Sequence, residues 1–151
     1  MWSLLVIPPL LPMMVSDWKE RTVGVLWLAA YGTAALTASA LENGVRGALV
    51  ERMLPGLLVC LVLWGALEAY SILRKKKFTE MLGAGDMVFV LLSTSLFLPL
   101  VFVRFLLISF IVILMAWLIL GLVGKRQREI PLVTGIGFCL IILVVYKVLV
   151  L

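Results

Sequence analysis

The chain contains eight acidic residues and no histidine, so any acid/base chemistry has to come from carboxyl groups. Two of them stand apart. Asp17 closes one apolar run and Asp86 opens another, 69 positions further on. Two carboxyls that meet in a partly dry site cannot both ionise cheaply: one keeps its proton and the other stays charged. The ionised partner can then take a proton from water while the protonated one polarises a carbonyl, which is the chemistry of an aspartic protease. A lone Asp at a helix start is more often a cap, held by free backbone N–H groups and the helix dipole. The surroundings of Asp86 argue for more than a cap, because it ends the string Gly83-Ala84-Gly85-Asp86. Gly83 and Gly85 let a second chain come close to the backbone just ahead of the helix, as an extended peptide substrate requires. Glu68 lies inside an apolar run, where an ionisable group tends to be paired or functional. Glu20 and Glu80 flank the two aspartates. Glu42 and Glu51 fit a solvated loop beside Arg46 and Arg52, and Glu129 balances a basic cluster.

The elements that must hold these residues are membrane helices. Hydrophobic residues make up 64% of the chain and charged ones 14%, and the mean hydropathy is +1.23. A soluble domain is nearer half apolar and about a quarter charged, and one of this size has too little interior to hide so much apolar surface. A helix needs about 20 apolar residues to cross the hydrocarbon layer. The apolar runs are 1–16, 22–41, 53–73, 87–123 and 130–151. The first carries Pro8, Pro9 and Pro12, which predict a kinked or locally thinned span. The fourth is too long for one crossing, so a hairpin is expected over Pro99 to Arg104. That gives an all-α integral membrane protein of six transmembrane helices, a single polytopic domain over residues 1–151. No cleaved signal peptide is expected, because no basic segment precedes the first run.

The basic residues set the orientation. Lys19 and Arg21, then Arg74, Lys75, Lys76 and Lys77, then Lys125, Arg126 and Arg128 fall in alternate loops, while only Arg46, Arg52, Arg104 and Lys147 fall on the other side. Nine against four places the first set in the cytoplasm and both termini outside. Asp17 and Asp86 then share one depth, at the cytoplasmic edge. The net charge of +5 follows from these loops, and no nucleic-acid partner is expected. Cys60 and Cys139 are isolated within apolar runs, which leaves no metal site and no cofactor to expect.

Three segments resemble the type IV prepilin peptidases and the related preflagellin peptidases, membrane aspartic proteases of the GxGD type. Ser16-Asp17-Trp18-Lys19-Glu20-Arg21 is similar to the family's first-aspartate segment. Glu80-Met81-Leu82-Gly83-Ala84-Gly85-Asp86 is similar to the second, and Glu129-Ile130-Pro131-Leu132 with Gly135 to the opening of its last helix. The resemblance implies a minimal, protease-only form without the methyltransferase domain, with Asp17 and Asp86 as the catalytic pair. Its implied substrate is a prepilin-like membrane protein that loses a short basic leader just before a hydrophobic helix. Glu80, Glu20 and Glu68 would then attract the leader, and the site would face the cytoplasm from the inner or plasma membrane. Two positions that bear on substrate preference depart from the family: Thr22-Val23-Gly24 stands where Ile-Pro-Asn is usual, and Val88 where a Lys is usual. The presenilin-like GxGD group fits less well, since Ser16 rather than Tyr precedes Asp17 and no Pro-Ala-Leu occurs. The alternative is non-enzymatic: an inactive relative that binds pilin-like helices, or a small ion-coupled transporter. Transport favours carboxylates at broken helices near the midplane, whereas these lie at the edge.

Overall fold

A computed structural model of the chain describes residues 2–20, 23–74, 83–122 and 132–150. Among them the structure is all-helical, with no strand. A 3₁₀ turn, Trp2–Val6, leads into α1, Ile7–Glu20. Then come α2, Val25–Arg46, a π-helical stretch, Gly47–Met53, and α3, Leu54–Arg74. The second half has α4, Ala84–Ser93, a 3₁₀ turn, Thr94–Leu96, α5, Pro99–Leu122, and α6, Leu132–Val150.

Three stretches are long and apolar enough to cross a membrane: Val25–Leu73, Pro99–Ile119 and Leu132–Leu149. The first is 49 residues long and is broken at Gly44, whose φ of 74° and ψ of 161° are not helical. Gly has no Cβ to clash in that left-handed region, so the chain turns there. Past the turn, Arg52 Nη2 donates to Asn43 Oδ1 at 2.7 Å. The loop expected around Glu42 and Glu51 is therefore continuous helix on either side of one glycine. Glu42 is not a solvated loop residue either, because it pairs with Lys147 of α6 at 2.7 Å.

The core is one cluster with a helical period. Val6, Leu10, Met13 and Asp17 form a buried stripe on the first helical segment, spaced as one helix face requires. Tyr31, Ala35, Ala38 and Ser39 do the same on α2, and Val133, Ile136, Leu140 and Val144 on α6. α1 packs between α2 and α6, α4 lies against α2, and α3 reaches α4 and α5. Leu57, Leu58, Leu61 and Val62 on α3, and Leu107, Ile108, Ile111 and Leu114 on α5, face outward. In water that arrangement would be unstable; against lipid it is the ordinary state.

The long fourth run does break, but not over Pro99 to Arg104. The break is at Phe97, which is extended (φ −124°, ψ 151°), and Pro99 opens α5. Proline suits a first helical position, because its missing N–H has no helical partner to lose. Arg104 is accommodated inside α5 because its side chain is exposed. α5 packs mainly on α6 and α3, not on the α4 it follows; Phe97 stacks on Phe105 with ring centroids 4.8 Å apart.

α4 and its 3₁₀ turn cover only residues Ala84–Leu96, about 20 Å of rise against a hydrocarbon thickness of about 30 Å. The far end of this short element is buried in the bundle, where every free carbonyl needs a donor. Ser39 Oγ donates to the Ser95 carbonyl at 2.6 Å and Arg52 Nη1 to that of Leu96 at 2.9 Å. Thr94 and Ser95 turn their hydroxyls back onto Leu91 and Leu92. Ser93 bonds the Phe89 carbonyl and, at 2.7 Å, the Tyr31 hydroxyl.

Candidate functional site

Asp17 continues the buried stripe of α1 by one further turn, and its residue is only 6% exposed. It lies at the start of α6, where the first N–H groups of that helix have no intrahelical partner. Thr134 meets it with two donors. Its backbone N–H and its hydroxyl both reach Asp17 Oδ2, each at 2.8 Å. The Thr134 hydroxyl also lies 3.0 Å from the Met14 carbonyl, one helical turn before Asp17. Asp17 thus pins the N-terminus of α6 across 117 positions of sequence, and the helix dipole favours its charge there.

Asp86 sits in the first turn of α4, just before the apolar run that begins at Met87. Gly83 is the cap residue, extended at φ −68° and ψ 144°. The Asp86 carboxyl reaches back to the Gly83 backbone N–H, which is one half of a capping box. Burial pushes the Asp86 carboxyl up, to about 6, and the negative charge of Asp17 pushes in the same direction; the Gly83 N–H works against both.

Gly85 makes a close approach possible, and the approaching segment is the protein's own. A Cβ on Gly85 would lie 2.9 Å from the Cβ of Val23, just ahead of α2. Gly83 is exposed, and a Cβ there would face the Asp86 carboxyl at 3.2 Å. Of the expected electrostatic residues, Glu68 lies on an exposed face of α3. Glu80 and the side chain of Glu20 lie outside the described residues.

Sequence reasoning missed Thr134. The signal was present: Leu132 opens the last helix, so a Thr two residues on falls in its first turn. It also missed Ser93-Thr94-Ser95, which reads as ordinary apolar-run polarity until the element is found to end there. Among the described residues no three His, Cys, Asp or Glu side chains gather as metal ligands.

The described residues are all-helical, with three stretches long and apolar enough to cross a membrane, and Asp17 and Asp86 each lie at a helix end. No protein-family model, curated protein or solved structure matches the chain.

Proposed function

We propose that the chain is a membrane aspartic endopeptidase of the prepilin-peptidase type, with Asp17 and Asp86 as its catalytic pair. The observation that carries this reading is the placement of two aspartates 69 positions apart at helix ends: Asp17 is buried and held by Thr134, and Asp86 opens α4 with a carboxyl pushed up first by burial and then by the Asp17 charge. Asp86, with its carboxyl raised to about 6, holds a proton that an ordinary carboxyl has already lost, while Asp17 accepts two hydrogen bonds from Thr134, and water activation requires such an asymmetry. Asp17 would take the proton from water, and protonated Asp86 would polarise the scissile carbonyl and later protonate the leaving amine.

In this reading the membrane domain has six spans. Trp2–Val6 with α1, α2, α3, α4 with its 3₁₀ turn, α5 and α6 each cross or enter the bilayer. A single 49-residue helix would be about 73 Å long, more than twice the hydrocarbon thickness, so the turn at Gly44 divides it into two spans. The positive-inside bias places the aspartates at the cytoplasmic face of the inner or plasma membrane and both termini outside. The substrate is a prepilin-like membrane protein with a basic leader and a hydrophobic helix. Glu68, Glu20 and Glu80 supply negative charge on the side where the leader would lie.

The test is Asp17→Asn and Asp86→Asn, each assayed for cleavage of a prepilin-like substrate in membranes. Asn keeps an oxygen for Thr134 and for the Gly83 N–H, so insertion and helix capping persist. Each variant loses cleavage, and the double variant is no worse than either single one, as expected of groups acting as a unit. Retained cleavage in a well-expressed single variant would overturn the assignment and leave both residues as helix caps.

A further inference from the structure

Away from the aspartates, α5 and α6 enclose an open groove of about 470 Å³. Its walls are apolar, with Ile108, Phe138 and Ile142 among them, and two polar features break the pattern. Arg104 and Tyr146 both line it, and Arg104 is the feature that carries charge. It is exposed, lies one and a half turns inside a membrane-crossing helix, and makes no ion pair among the described residues. An uncompensated guanidinium at such a depth calls for an anion. Ser109 lines the floor of the groove; it is fully buried, and its hydroxyl has no hydrogen-bond partner. Buried hydroxyls are ordinarily satisfied, so this one is waiting for an acceptor or donor supplied from outside the chain.

The spacing fits one kind of amphiphile. Arg104 and Ser109 are five residues apart on α5, about 7.5 Å along the helix axis. A glycerophospholipid carries its phosphate and its ester carbonyls in that order and at about that separation along its length, followed by acyl chains. The volume holds roughly sixteen groups of a water molecule's size, the scale of one acyl chain and too little for a second membrane helix. We propose that this groove binds a glycerophospholipid, its phosphate on the Arg104 guanidinium, its glycerol region beside Ile108 and Ile142, an ester carbonyl accepting from Ser109 and an acyl chain along Val112 and Phe138. Arg is suited to the task because its planar fork meets phosphate oxygens two at a time. The lipid joins α5 to α6 at the end of the bundle remote from Asp17 and Asp86, so the site stands or falls independently of the protease reading.

The experiment is native mass spectrometry of the full-length protein purified in detergent, with phosphatidylglycerol or phosphatidylcholine added in mixed micelles. The wild type retains one phospholipid per chain. Retention of both lipids identifies the phosphodiester as the recognised group, and retention of phosphatidylglycerol alone adds a requirement for net negative charge. Arg104→Gln lowers retention at least tenfold, and Ser109→Ala about threefold, the scale of one hydrogen bond in a membrane interior. Ile108→Trp fills the groove with Arg104 in place and also abolishes retention, which covers the case in which Arg104→Gln does not fold. The proposal is overturned if the wild type retains no phospholipid, if Ile108→Trp retains as much as the wild type, or if the wild type runs as a dimer that Ile108→Trp dissolves, since a second copy would then occupy the groove.

Discussion

Thr134 ties the last helix to the first. It spends its backbone N–H and its hydroxyl on one oxygen of Asp17. Thr134→Val keeps the shape and the N–H and removes the hydroxyl, leaving the carboxylate with one donor. The expected loss is about 1 kcal/mol of stability, read by denaturant titration in detergent, with cleavage reduced but not abolished. Asp86 gives a second expectation. Its carboxyl is raised from 3.8 to about 6 by burial first and by the Asp17 charge second. The folded protein therefore holds this proton more tightly than the unfolded chain does, and the stability it contributes is present at low pH and declines as pH rises from about 4 to about 6. The rate of cleavage should fall as pH rises through about 6 and that proton is lost. Asp17→Asn removes one of the two upward causes, so an infrared titration of the Asp86 carboxyl should move to lower pH. An unmoved titration would mean that the two groups are not coupled.

The half-length α4 is the element on which the architecture turns. It starts at the aspartates and stops inside the bundle, so its last carbonyls depend on donors from α2 and from the π-helical stretch that follows it. Ser39 and Arg52 supply them. Arg52→Leu strands the Leu96 carbonyl and frees Asn43, with an expected cost of about 1–3 kcal/mol. Arg52→Gln can still donate to Leu96 and should recover much of that. Thermal stability of the purified variants distinguishes the two, and equal losses would show that the charge rather than the hydrogen bond matters. Gly85 belongs to the same element. It brings Val23, from the segment where the chain departs from the prepilin-peptidase pattern, directly against the Gly-Ala-Gly-Asp turn. A change at Val23 therefore reaches Asp86 through one layer of packing.

For the whole molecule the main question is which side faces the cytoplasm. With Cys60 and Cys139 replaced, single cysteines at Lys76 and Arg126 should resist an impermeant thiol reagent in intact cells and react after permeabilisation. Labelling of both in intact cells would invert the proposed orientation. On the opposite side, Glu42 ties α2 to the end of α6 through Lys147 and accepts the backbone N–H of Ser3 at 3.3 Å. The bundle is thus closed by a polar contact at each end, Asp17 with Thr134 on one and Glu42 with Lys147 on the other.

Hydropathy is nearly additive along a chain, so the sequence by itself determined that helices long and apolar enough to cross a membrane form, and roughly where they begin and end. It also marked Asp17 and Asp86, because a carboxyl at the edge of an apolar run is costly enough to be noticed in isolation. Tertiary structure decided the rest. Whether one aspartate feels the other depends on how helices far apart in sequence are packed. That α4 stops short depends on donors at positions 39 and 52 that no local pattern connects to it. Glu42 could be read as a solvated loop residue only until Lys147, 105 positions away, was found beside it. Contacts of this kind form between side chains whose separation in sequence carries no information about their separation in space.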